Sequence, residues 1–345
     1  MSDQLTWRSV ESGDAPALAG LINAHSLAVV GTRRALIDAD GDLHTARYIP
    51  GAAEQQVALS PHDDLIAHSY LISRPPHNVV EFGLTLHPDF QQPPTDDALL
   101  TEMESAAHEL VALAPPGVRV VVQTTVLADD AFRRERLIDH GFHQAREWVH
   151  LELNLKDAPI VDLPDGVTIR RMDQRVDWPV VGAVMDAAFA DHWGEMRPEL
   201  RTLMEEDEAE EEDEAAEEEG IEDDPYSNSL GLCFVAEAAG AIIGACLCNA
   251  RTVEWADAGK LGSLSVLRAY RRTGVGRALT AVALAEFHRR GIGRVITDTD
   301  NASFTGANRL YLRFGFRPYR YEHVYEKELR PGTEWRVLSA AEVAP

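Results

Sequence analysis

Two stretches of this chain follow one plan. The segment RVVVQTTVLADDAFRRERLIDHGFHQAREWVHLEL, from Arg119, matches RVITDTDNASFTGANRLYLRFGFRPYRYEHVYEKEL, from Arg294. In each, a β-branched strand leads through a polar turn into a short helix. The helices stop at Gly141-Phe142 and Gly315-Phe316, and residues of alternating polarity follow. Glycine supplies the left-handed residue that ends a helix. Upstream, LTWRSVESGDAPALAGLINAH from Leu5 resembles VTIRRMDQRVDWPVVGAVMDAAF from Val167, each reading as strand, polar turn and helix. Two matches in the same order imply a tandem duplication, and 345 residues leave room for two domains. The turn-rich segment NLKDAPIVDLPDG, Asn154–Gly166, marks the boundary, giving expected domains at 1–156 and 167–330.

Within the second copy the pattern predicts a strand over 167–171, a helix over 178–190 and a further helix near Pro198. Strands follow at 232–237, 241–251 and 260–267, then a helix at 275–290, a strand at 294–299, a helix at 305–314 and final strands within 317–329. The fold class is α+β, each copy a mixed sheet packed with helices. The apolar run 231–250 contains Glu237 and breaks at Ala239-Gly240, so it reads as two strands and a turn rather than a membrane span. Cys246 and Cys248 alternate in that run and read as buried strand packing, with no metal site expected. The N-terminal residues carry no signal-peptide pattern, and three cysteines suit a reducing compartment, so a cytoplasmic location is expected.

The formal charge of −25 is unevenly placed. Glu205–Asp224 holds fifteen acids and no base, leaving −10 for the rest of the chain. Nucleic acid is a poor partner for such a balance, because phosphate contacts need clustered cations. The tract reads either as a solvated insertion or as an electrostatic lure for a cationic substrate or a basic partner.

The stretch AYRRTGVGRAL, Ala269–Leu279, sits between the strand LGSLSVL and a helix that places Leu279, Ala283 and Phe287 on one face. A helix start offers free N–H groups and a positive dipole end, and glycines let an anion approach the backbone. Arg271, Arg272 and Arg277 add charge able to pair with a pyrophosphate. By itself, Arg-x-x-Gly-x-Gly fits a solvated turn as well as a phosphate seat. It is neither a Rossmann fingerprint, which needs three glycines, nor a Walker loop, which needs Gly-Lys-Ser/Thr.

The order strand, Arg-x-x-Gly-x-Gly turn, long helix, strand, then NRLYLRFGF (Asn308–Phe316) resembles the GNAT superfamily of acyl-CoA-dependent N-acetyltransferases over about 167–329. The whole chain resembles tandem-GNAT proteins in a mycothiol synthase-like layout, with two mixed, mostly antiparallel sheets flanked by helices. The resemblance implies acetyl-CoA as co-substrate, an amine acceptor, direct transfer and no metal. It implies that Leu264, Ser265 and Val266 lie on a splayed strand holding the pantetheine arm. There the N–H of Val266, or of its neighbour, would stabilise the thioester oxyanion. It places Arg271, Arg272, Thr273, Gly274, Val275, Gly276, Arg277 and Ala278 in the pyrophosphate loop. Tyr311 would protonate the departing thiolate, and Asn308, one turn earlier, would face the same pocket.

The match has departures. Phe304 stands where many relatives have asparagine, with Asn301 three residues earlier, and no glutamate occupies the strand 260–267. The base is left open among Glu254, Asp257, Asp298, Asp300 and water. Trp193, in DHWGEM (Asp191–Met196), reads either as a wall of the acceptor site or as loop packing. In the first copy Gln91 aligns with Arg271, Pro94 with Gly274, Asp96 with Gly276 and Leu137 with Tyr311. Proline removes an amide donor and Asp96-Asp97 repels phosphate, so that copy is expected to be non-catalytic. The competing reading of the whole is a non-catalytic acyl-CoA-binding or interaction module that docks through its acidic tract.

Overall fold

Ten left-handed glycines punctuate the described residues, among them Gly141 and Gly315 at φ 84° and 92°, where both repeated helices stop as expected. The computed structural model describes residues 6–33, 52–60, 62, 64–200, 232–252, 254–255 and 257–339. The acidic tract 205–224 lies outside them. The chain divides into two units, Met1–Trp148 with Arg320–Glu334, and Val149–Tyr319 with Trp335–Pro345.

The first unit contains β1 (Thr6–Ser9), α1 (Ala15–Val30), β2 (Ala52–Leu59), β3 (Leu65–Ser73) and β4 (Val79–Leu86). It continues with α2 (Pro93–Leu110), β5 (Val120–Leu127), α3 (Ala131–Asp139) and the start of β6 (His143–Asn154). The second repeats the order with β7 (Val167–Arg171), α4 (Gln174–Phe189), β8 (Phe234–Ala238), β9 (Ala241–Asn249) and β10 (Ala258–Val266). Then come α5 (Val275–Arg289), β11 (Arg294–Asp300), α6 (Ala307–Arg313) and β12 (Arg317–Arg330). The sheet order is β1-β2-β3-β4-β5-β12 in the first unit and β7-β8-β9-β10-β11-β6 in the second. The pairs within β1-β2-β3-β4, β5-β12 and β7-β8-β9-β10 are antiparallel, while β4 with β5 and β10 with β11 are parallel. This is the mixed, mostly antiparallel sheet flanked by helices that the α+β reading anticipates.

The units do not follow the repeat at its ends. Residues from Arg320 onward serve the first unit, where Glu322–Arg330 pair with β5, and residues from Val149 onward serve the second. Each repeat therefore supplies the sixth strand of the other unit. Both final strands alternate in polarity, so either satisfies either sheet.

Packing follows the predicted faces. Leu279, Ala283 and Phe287 of α5 are fully buried among Cys246, Cys248, Leu261 and Val295. Burying a side chain such as Phe287 contributes roughly 1.5–3 kcal/mol. Gly259 makes room for it, since a Cβ there would fall 2.4 Å from the Phe287 ring. The run 232–250 is the β8–β9 hairpin, turned by Ala239 and Gly240, both at positive φ. Cys233, Cys246 and Cys248 are buried, as strand packing requires. No helix among the described residues is long and apolar enough to cross a membrane. The two units also share a detail. Asp14 holds Arg8 at the first helix entrance of one unit, as Asp177 holds Arg170 in the other, each through two nitrogen–oxygen contacts of 2.6–2.8 Å.

Candidate active site

The second unit contains an unpaired strand edge. β10 is bonded to β9 through Ser263↔Leu247, Leu264↔Cys246, Ser265↔Ala245 and Val266↔Gly244. On its other side it pairs with β11 only at Ala258↔Arg294, Gly259↔Val295 and Lys260↔Ile296. Beyond Lys260 the two strands part. The first carbonyl past that point, Leu261, accepts the Thr297 hydroxyl at 3.0 Å. Leu267 donates its N–H to Ile243 at 2.9 Å, so by antiparallel alternation the N–H groups of Ser263 and Ser265 also face β9. Those of Leu264 and Val266 face the open side. The Val266 carbonyl does too, and accepts Arg271 Nε at 3.3 Å.

The start of α5 stands at the end of this edge. Gly274 caps the helix at φ 100°, a conformation that L side chains strain to adopt, and a Cβ there would press to 3.3 Å on Pro164. The amides of Arg272 through Arg277 reach no backbone acceptor among the described residues, whereas Ala278 already donates to Gly274 at 2.9 Å. Gly276 lies over the strand end. A Cβ on it would be 3.7 Å from Val266 and 3.9 Å from Leu264. Val275 and Ala278 are buried, Arg272 and Arg277 are exposed, and the Thr273 hydroxyl is turned back to the Tyr270 carbonyl at 2.7 Å.

Arg271 needs correction. The sequence suggests a guanidinium turned toward phosphate, but Nη2 donates to the Ala188 carbonyl at 2.7 Å and to Asp191 Oδ1 at 3.0 Å, while Nη1 meets the other Asp191 oxygen. Its backbone N–H is also taken, by Arg268 at 3.2 Å. An arginine three residues before a glycine turn reads as a ligand contact only when its partner, eighty residues away, is unseen.

Tyr311 on α6 is 4% exposed, its ring 5.6 Å from that of Phe316. Burial, and then the neighbouring Cys246 thiol, push its phenol well above the ordinary range, against a hydrogen bond with Thr297 that draws it down. The phenol stays protonated and can serve as a donor. Asn308 donates Nδ2 to Asn301 at 2.8 Å, and its buried Oδ1 has no hydrogen-bond partner among the described residues. Among the suggested bases, Asp298 pairs with Lys260 at 2.7 Å. Buried Asp300 accepts the Ala302 N–H at 2.9 Å, which makes it a turn residue. Asp257 is exposed just before β10, and Glu254 is half-buried. Asp298 also exerts a field on the Tyr311 phenol.

Residues 193–316 match the family model described as Acetyltransferase (GNAT) family. Over nearly its whole length the chain shares its fold with a GCN5-related N-acetyltransferase from Sphaerobacter thermophilus. The TM-score is 0.71 at 23% identity, covering 97% of this chain and 98% of that one. It likewise matches a tandem GNAT protein from the clavulanic acid biosynthesis pathway, solved without AcCoA, with TM-score 0.62 at 16% identity, covering 96% and 100%. A search of curated proteins finds no match. These likenesses are of fold, and the family they point to carries out acyl transfer.

The first unit has the same parted strands but a different helix start. β4 pairs with β5 only at Val79↔Val121, Val80↔Val122 and Glu81↔Gln123. Pro93 and Pro94 then open α2 without N–H groups, and the amides of Thr95 and Asp96 are spent on the Gln92 carbonyl at 2.9 and 3.0 Å. Asp96, which aligns with Gly276 of the second unit, is fully buried and lies 2.7 Å from the buried Arg133. Asp130 beside it meets His25 at 3.3 Å. Leu137, the counterpart of Tyr311, is fully buried.

Sequence reasoning passed over His192. Its Nδ1 is buried 3.3 Å from Asp191 Oδ1, close enough for a hydrogen bond though not aligned for a full one. No pattern of spacing marks a lone histidine; its neighbour Trp193 drew attention instead.

Proposed function

We propose that the second unit is an acetyl-CoA-dependent N-acetyltransferase acting on a primary amine of a small molecule, with the first unit binding no CoA. The observation that carries this reading is the parting of β10 from β11 directly beside a helix start with unpartnered amides. The open edge offers extended backbone donors to an amide-bearing arm such as pantetheine. The N–H groups of Arg272 through Arg277, at the positive end of α5 and flanked by the exposed Arg272 and Arg277, suit a pyrophosphate. Between them the Val266 N–H faces the space where a thioester carbonyl would lie. One such donor is worth about 10²–10³ in rate.

In the proposed reaction the amine nitrogen attacks the thioester carbonyl, the carbon–nitrogen bond forms and the carbon–sulfur bond breaks. The thiolate takes its proton from the Tyr311 phenol, which burial keeps protonated. The family resemblance and the fold support acetyl-CoA as the donor; the acceptor side is this chain's own. The test is thiol release from acetyl-CoA against a panel of primary amines: spermidine, putrescine, glucosamine and lysine methyl ester. Turnover that depends on the amine supports transfer. Tight CoA binding with no turnover across the panel supports a non-catalytic acyl-CoA binder instead.

A further inference from the structure

The turn Asp191–Arg197 follows α4 and is more firmly built than a surface loop needs to be. Gly194 donates to Val337 at 2.9 Å, Val337 to Glu195 at 2.8 Å and Arg197 to Trp335 at 2.9 Å, so the chain's last described segment is laced to it as a short antiparallel pair. Arg271 fixes it from the other side. One guanidinium holds the Asp191 carboxylate through two nitrogens and also bonds the carbonyl of Val266, the last residue of the open edge. Asp191 in turn faces His192 Nδ1, and the ring edge rests on Phe189 with centroids 4.8 Å apart. Nδ1 is sealed from solvent while the side chain as a whole keeps 28% of its surface exposed, so Nε2 is the accessible nitrogen.

We infer that His192 is the general base of the transfer reaction, held by Asp191 and Arg271 at the Val266 end of β10. The inference rests on the transferase reading above and supplies the base that no carboxylate on β10 provides. The carboxylate beside Nδ1 favours the tautomer with the proton there and leaves the Nε2 lone pair free. A primary amine arrives as an ammonium. Nε2 takes one proton from it, the neutral nitrogen attacks the thioester carbonyl, the second proton lost on amide formation restores the Tyr311 phenol spent on the thiolate, and the proton held by Nε2 leaves to solvent. The charged groups around the ring are Asp191 and Glu195, which favour its protonated form, and Arg271, which opposes it, with Arg268 acting on Asp191. Burial is the largest influence, and the net effect holds the imidazole below its ordinary 6.5, so it is neutral at pH 7.

The test compares wild type, His192→Gln and His192→Ala with the panel amine that wild type turns over fastest, across pH 5–9. The expected wild-type kcat falls on the acid side with a midpoint below about 6.5. His192→Gln loses that limb and about 10²-fold or more in kcat. CoA affinity and melting temperature stay near wild type, and imidazole added to His192→Ala restores part of the rate. Wild-type kcat and pH profile in His192→Gln overturn the inference and leave the transferase reading intact. Lost rate with an unchanged acid limb and no imidazole rescue assigns His192 a positioning role and also overturns it. A wild type that turns over no panel amine removes both.

Discussion

Thr297 gives its hydroxyl hydrogen to the Leu261 carbonyl at 3.0 Å, at the first position where β10 and β11 are no longer paired. One side chain thus satisfies the backbone group that the separation exposes, and the same hydroxyl bears on the Tyr311 phenol. Thr297→Val keeps the shape and removes the hydroxyl, leaving a buried carbonyl unsatisfied. The expected cost is about 1–3 kcal/mol of stability, read from denaturant midpoints. An unchanged midpoint contradicts the role given to the bond.

Tyr311→Phe retains the ring packed on Phe316 and deletes the donor. It is expected to lower kcat by about 10²–10⁴ with little change in CoA affinity, measured by thiol release and calorimetry. If kcat is preserved, the thiolate takes its proton from another group.

In the first unit Arg133 and Asp96 are buried and 2.7 Å apart. Burial raises the Asp96 carboxyl and lowers the Arg133 guanidinium, each opposed by its partner. Arg133→Met alone leaves a buried carboxylate unpaired and is expected to cost about 3–5 kcal/mol. Adding Asp96→Leu should recover much of that loss. A double variant as unstable as the sum of the singles excludes the coupling.

His68 on β3 is 6% exposed, and burial holds its imidazole at about 4, against 6.5 when unfolded. Between those values the unfolded chain binds a proton that the folded one refuses. The neutral, folded form therefore contributes stability fully above about pH 6.5 and loses it as pH falls toward 4, by roughly 3 kcal/mol in all. Melting curves at pH 7 and pH 4.5 should converge for His68→Gln relative to wild type. Equal pH slopes in the two proteins contradict this assignment.

Much of the plan was legible in the chain. The recurring strand–turn–helix order, the Gly-Phe stops, the Ala239-Gly240 turn and the buried face of α5 follow from local rules of spacing and backbone freedom. The helix expected at 178 instead begins at Gln174, where Asp173 caps it and Pro179 is carried within. What escaped is what depends on distant partners. Two final strands with the same alternation cannot reveal which sheet each joins. Arg271 shows its charge but not Asp191, and His192 has meaning only beside that carboxylate. The buried pair of Asp96 and Arg133 reads in sequence as repulsion alone, because the compensating cation sits 37 residues downstream.

The contrast between Gly276 and Asp96 gives the most direct measurement. The space around Gly276 accepts a Cβ, its nearest neighbour being 3.7 Å away, so Gly276→Ala should fold and bind CoA nearly as wild type does. Gly276→Asp sets a carboxylate at the helix start where the pyrophosphate is proposed to sit. Titration calorimetry with CoA is expected to show one equivalent per wild-type chain and at least a 10²-fold weaker affinity in Gly276→Asp, about 2.7 kcal/mol. Two equivalents per chain, or undiminished binding in the aspartate variant, would contradict the placement of the acyl-CoA seat at the start of α5.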